Sequence, residues 1–105
     1  MDALKRVAGP VALSATPATV YTAPALTTTT VTAIHVSNTT TLTQDFTLSV
    51  GADAVGTRFF HRVPVAPGAA FDWAGTLVLA AGEILQANAS LAASLTLTAS
   101  GVETT

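Results

Sequence analysis

Apolar and polar residues alternate with a period of two along most of the chain, and no window sustains the 3.6-residue period of an amphipathic helix. The abundance of Thr and Val fits, because β-branched side chains suit a pleated, half-buried surface. Thr43–Val50 alternates most cleanly, predicting Phe46, Leu48 and Val50 inward and Asp45, Thr47 and Ser49 outward. Thr28–Ser37 predicts a long strand with Thr32, Ile34 and Val36 on one face and Val31, Ala33 and His35 on the other. Val11–Thr16 and Thr19–Ala23 predict shorter strands punctuated by Pro10, Pro17 and Pro24. The second half offers Thr57–Val65, Ala70–Leu79, Glu83–Ala89 and Leu91–Ala99, the last with Leu91, Ala93, Leu95, Leu97 and Ala99 inward. Pro64 marks an edge or a bulge, since proline has no ladder donor. Asn38–Thr41, Gly51–Gly56, Ala66-Pro67-Gly68 and Ala80-Ala81-Gly82 supply turns. Some eight short strands, spaced by roughly 8–12 residues, predict an all-β fold: an antiparallel β-sandwich or a jelly-roll-like barrel. Residues 1–10, holding Asp2, Lys5 and Arg6, are expected to form an N-terminal arm, and residues 11–105 a single sandwich domain.

The alternation also decides the membrane question. Ile84–Val102 is long enough to cross a bilayer as a helix, but Gln86, Asn88, Ser90, Ser94, Thr96, Thr98 and Ser100 recur on one parity. As a helix it would expose polar groups to lipid on every side, so strands and no membrane partner are expected. Lys5 and Arg6 followed by Val7–Ala15 imitate a signal peptide, yet Gly9 and Pro10 break the apolar stretch. Four basic residues are too few to neutralise a run of phosphates, so no nucleic-acid partner is expected. Without cysteine there is no disulfide, thiolate zinc site or thiol nucleophile.

Candidate chemistry is sparse. His35 and His61 each sit in a predicted strand with no second histidine or carboxylate at an adjacent same-face position, which favours packing over metal binding. None of the six serines lies in a Gly-x-Ser-x-Gly elbow, and the acids are dispersed, with Asp53 placed as a turn former in its glycine-flanked loop. No catalytic residue, metal ligand or cofactor is therefore expected, and the chain is expected not to be an enzyme. Phe59-Phe60-His61-Arg62 and Phe71-Asp72-Trp73 hold most of the aromatic area, and the opposite parities of Phe59 and Phe60 send one ring away from the core. Aromatics and Arg are enriched at contact hot spots, which makes Phe60, Arg62 and Trp73 candidate partner contacts, joined by Leu4, Lys5 and Arg6 of the arm. An alternative use of Phe60, Arg62, Asp72 and Trp73 is a receptor- or carbohydrate-binding module.

Charge changes the picture most. Charged residues make up 10% of the chain, whereas a free soluble domain carries ~25–35% on its surface and blunts its sheet edges with Lys. An exterior of Thr, Ser and Ala predicts cover by other copies or by a larger assembly.

An ordered series of segments completes the reading: Leu4-Lys5-Arg6, Thr19-Val20-Tyr21-Thr22-Ala23-Pro24-Ala25, Ile34-His35-Val36-Ser37-Asn38-Thr39, Phe46–Asp53, Val65-Ala66-Pro67-Gly68, Leu77–Leu85 and Leu95–Glu103. Over almost its full length the chain resembles small β-sandwich structural proteins of tailed bacteriophages, minor tail or capsid decoration proteins. It departs from them at Leu26, where a glycine is common, and at the bulkier Phe60-His61-Arg62. The resemblance implies a non-enzymatic virion protein docked in multiple copies on the particle exterior. It also implies other virion proteins as partners and a homo-oligomer, with a trimer as one form; on the alternative use, the receptor- or carbohydrate-binding module would sit at a tail fibre or baseplate.

Overall fold

The alternating segments become eight strands in a computed structural model that describes residues 3–105. They are β1 (Lys5–Ala12), β2 (Ala18–Thr22), β3 (Thr28–Asn38), β4 (Gln44–Val50), β5 (Arg58–Val65), β6 (Ala70–Leu79), β7 (Ile84–Ala89) and β8 (Leu95–Thr104). One sheet has the order β1-β8-β3-β6 and the other β2-β7-β4-β5, and every neighbouring pair is antiparallel. The pairs are nested: hairpin β4–β5 forms the tip, and β3–β6, β2–β7 and β1–β8 follow outward. Wrapping one long hairpin in this way sends successive strands back and forth between two layers, which is the jelly-roll arrangement. The all-β sandwich expected from the alternation is the fold observed.

The inner faces meet in one core. Phe46, Leu48, Val31, Ile34, Val36, Leu79, Leu85, Leu95 and Leu97 are almost wholly buried, and Ala87, Ala89 and Ala99 fill the narrower positions of β7 and β8. Phe46 leads an aromatic cluster along the seam between edge strands β5 and β6. Its ring lies 5.9 Å from Phe60 and 5.4 Å from Phe71, and Phe60 lies 6.2 Å from Trp73. Truncating a ring such as Phe46 in a core of this density costs about 3–5 kcal/mol.

Bulges fit the strands to this core. The register of β3 shifts between Val31 and Ala33 against both neighbours, so Val31 and Ile34, three residues apart, both point inward. Strict alternation places them on opposite faces; against β8 the extra residue, Thr32, reverses the parity, while against β6 the extra residue falls on β6 between Leu77 and Ala74. Gly101 of β8 lies beside this bulge, where an added Cβ would stand 2.1 Å from the Thr30 carbonyl oxygen. The residues expected as an arm take part in the sheet instead. Lys5 pairs with Gly101 and Ala12 with Thr96, so β1 starts within residues 1–10 and ends at Ala12 rather than Thr16. Gly9 and Pro10, which resemble breakers, sit at the bulged part of that strand between Ala8 and Val11. Met1 and Asp2 of the expected arm lie outside the described residues. At the other end of the chain, β8 begins at Leu95, because Ala93 has φ +59 and Leu91 points to solvent in a turn.

Two polar clusters tie the layers together. Asn38 is 1% exposed and fully engaged. Its Nδ2 donates to the carbonyls of Leu42 and Val65, and its Oδ1 accepts from the Thr40 amide and hydroxyl, an Asx turn that joins β3 to β4. At the opposite end, the Tyr21 hydroxyl of β2 meets Thr29 Oγ1 of β3 at 2.7 Å and donates to Glu103 Oε2 of β8 at 2.5 Å. Lys5 of β1 pairs with the same carboxylate. The Lys5 ammonium and then the Tyr21 hydroxyl hold the Glu103 carboxyl below its ordinary 4.5. Burial, and then the hydrogen bond with Glu103, raises the Tyr21 phenol above its ordinary 10.0.

Gly101→Ala is expected to destabilise the fold by at least about 1–3 kcal/mol, because the intruding methyl meets backbone. Gly56→Ala, where nothing lies within 4 Å of an added Cβ, is expected to be nearly neutral; urea denaturation of both variants checks the contrast. Because Glu103 binds its proton more weakly when folded, stability should fall as pH drops below about 4.5. Because Tyr21 holds its proton more tightly when folded, stability should also fall as pH rises past 10.0. In denaturation midpoints measured across pH, Glu103→Gln should flatten the acid limb.

Candidate interaction surface

Because the strands run antiparallel, the connections fall into two groups at opposite ends of the sandwich. Residues 13–17, 39–43, 66–69 and 90–94 make one end; residues 23–27, 51–57 and 80–83 make the other, where β1 also begins. Leu4, Leu26 and Val55 belong to this second end and are 66%, 90% and 87% exposed. Val78, near the same end of β6, is also exposed. Leu42 and Leu91 are the exposed large apolar residues of the first end.

The 51–57 connection is the longest, and polar contacts hold it against the outer face of its sheet. Ser49 Oγ donates to Asp53 Oδ1 at 2.7 Å, Arg58 Nε and Nη2 donate to the two carboxylate oxygens, and Gln86 Oε1 accepts the Asp53 amide. Thr57 Oγ1 donates to the Ala52 carbonyl and accepts the Ala54 amide, fixing the short 3-10 turn Val55–Thr57. The Arg58 guanidinium, with help from Ser49, lowers the Asp53 carboxyl below its ordinary 3.8. Asp53 is thus the loop former that the sequence suggests, and the loop it holds presents Val55. The same contacts explain why Ser49 is buried although its parity points away from the core. Thr47, on the same face, is buried where its hydroxyl accepts the Arg62 amide.

The candidate contact residues separate into two sets. Leu4, Lys5 and Arg6 stand exposed at the start of β1, although Lys5 is engaged by Glu103. Phe60 and Trp73 turn into the seam and pack on the core. The ring that reaches solvent there is Phe59, 37% exposed and edge-on to Trp73 at 5.2 Å. Arg62 is exposed on β5 at a bulge, with φ +50. Asp72 and Trp73, adjacent in β6, point to opposite sides of the sheet, so Phe60, Arg62, Asp72 and Trp73 do not converge on a common pocket.

Asp72 instead meets His35 across β3–β6, with Nδ1 to Oδ1 at 2.5 Å. Sequence inspection misses this pair because it compares neighbours within a strand, whereas the partner stands 37 positions away in a facing one. Both side chains are half exposed or more on the open outer face of the sheet. Among the described residues no pocket opens and no three His, Cys, Asp or Glu side chains gather around a point. Pairing takes up part of the little charge there is. Lys5 with Glu103 and Arg58 with Asp53 form ion pairs, His35 is hydrogen-bonded to Asp72, and Glu83 accepts the Ala80 amide. Only the side chains of Arg6, Asp45 and Arg62 are left without such a partner among the described residues. What the geometry offers is a weakly charged exterior with large apolar side chains exposed at both ends. No protein-family model, curated protein or solved structure matches the chain.

Proposed function

We propose that the chain is a non-enzymatic structural protein of a tailed-bacteriophage particle, docked in multiple copies on the exterior of the tail or capsid as a homo-oligomer. The observation that carries this reading is the end bearing Leu4, Leu26 and Val55: large apolar side chains held out from the fold on a molecule whose charged residues make up 10% of the chain. Scattered apolar side chains are ordinary on a protein surface. Here three occupy one end, and a well-anchored loop presents one of them, which favours a contact made in an assembly. The phage assignment rests on the resemblance of the strand-and-turn segments. A jelly roll alone does not supply it, since that fold serves capsid, lectin and enzyme families alike.

Docking through apolar contacts should persist at high ionic strength, because screening acts on charge and leaves burial intact. The decisive experiment is protein identification in purified particles of the encoding phage, washed in high salt. The chain should stay on the particle, and the double variant Leu26→Asp/Val55→Asp should be lost from it while keeping the wild-type melting temperature. Absence of the chain from mature particles would overturn the proposal. Truncating residues 1–10 is a poorer probe, because it removes most of β1 and bares the edge of β8.

A further inference from the structure

The two sheets have four edges, and three are blunted. Strand β1 carries Lys5, Arg6 and Pro10 and two register shifts. Strand β2 is five residues long and shifts register at Val20. Strand β5 carries Pro64 and Arg62, the latter at φ +50 where the register shifts between Phe46 and Leu48 of its partner. Short length, proline, basic side chains and bulges are the usual devices that stop one sheet from pairing with another. Strand β6 is ten residues long and contains no Pro, Lys or Arg. Its one irregularity lies near Gly75, opposite Thr32, and Ala70–Ala74 runs in uninterrupted register with β3 from Ser37 to Ala33. Its outer residues Ala70, Asp72 and Ala74 are exposed.

We propose that β6 is the self-association edge of the protein, pairing antiparallel with β6 of a second copy about a two-fold axis to join the two four-stranded sheets into one. Three observations select a second copy as the occupant. The one acidic side chain on the strand, Asp72, is already hydrogen-bonded to His35 of its own chain. Self-pairing about Trp73 or Ala74 sets Asp72 opposite Ala74 or Thr76, so like charges do not meet. The blunting of the other three edges makes the contact close: two copies satisfy each other's only open edge, and further growth stops. Phe59, beside this edge on Trp73, and Val78 on β6 add apolar area that such a contact would cover. A three-fold ring would need a second, different edge, which the blunted strands do not offer. The proposal deepens the reading of a multi-copy particle protein and rests on it only for the expectation of self-association.

Light scattering on the eluting full chain tests it. The wild type should run at twice 10.5 kDa. Ala74→Lys and Thr76→Lys, tested separately, should each halve the mass with circular dichroism and melting temperature unchanged, while Thr22→Lys on β2 should leave the dimer intact. Amide exchange at Ala70–Ala74 should slow on going from dilute to concentrated protein. A wild type that stays at 10.5 kDa at the highest attainable concentration, or a dimer lost with Thr22→Lys but kept with both β6 variants, would overturn the proposal. The second result would leave the homo-oligomeric particle protein standing while overturning its β6 contact, and absence from particles would leave a β6 dimer standing, so the two proposals fail separately.

Discussion

Two sheets packed face to face leave an interior about 10 Å thick, and every strand has to deliver its apolar side chains into that slot. The apolar residues of β3 and β5 do not all share one parity, so the backbone takes up the difference. An extra residue at Thr32 turns both Val31 and Ile34 inward, and one near Arg62 does the same for Phe60 and Val63. These adjustments bring neighbouring backbones too close for a side chain at Gly101. The glycine, the bulges and the filled core therefore stand or fall together.

The same economy shapes the exterior. With the inner face committed to packing, the few ionic groups are spent on internal tasks. Glu103 joins β1, β2 and β8 through Lys5 and Tyr21, and Asp53 anchors a loop through Arg58 and Ser49. Little charge is left to keep copies of the molecule apart. The four sheet edges are unevenly protected: β6 is the long one without Pro, Lys or Arg.

Much of the fold was legible in the alternation. Phe46 and Leu48 point inward as their parity demands, and Asn38 makes its turn as an Asx side chain does. The failures have identifiable causes. Gly9 and Pro10 look like strand breakers, but within a bulged edge strand they are accommodated, so residues that read as an arm begin β1. Leu91 and Ala93 continue the alternation of β8, yet Ala93 adopts a positive φ and the chain is still turning. Burial of Thr47 and Ser49 depends on contacts with β5 and the 51–57 loop, and no parity rule includes them. The candidate surface was less visible still. Phe60 and Trp73 read as partner contacts from their residue type, but they face each other across the seam between edge strands β5 and β6, a juxtaposition only the strand order reveals. The His35–Asp72 pair likewise requires the β3–β6 register.

The nested strand order has a kinetic side. Only the β4–β5 hairpin joins strands that follow one another directly in the same sheet; the outermost pair brings Lys5 to Gly101, nearly the whole chain apart. Each successive pairing encloses a larger loop before its contacts repay the lost chain entropy. Topologies of this kind fold in milliseconds to seconds, orders of magnitude slower than helical bundles of similar size. Until the last shell closes, the edge of β8 stays unprotected, so newly synthesised copies pass through a sticky phase whose length is set by the wrapping of the chain.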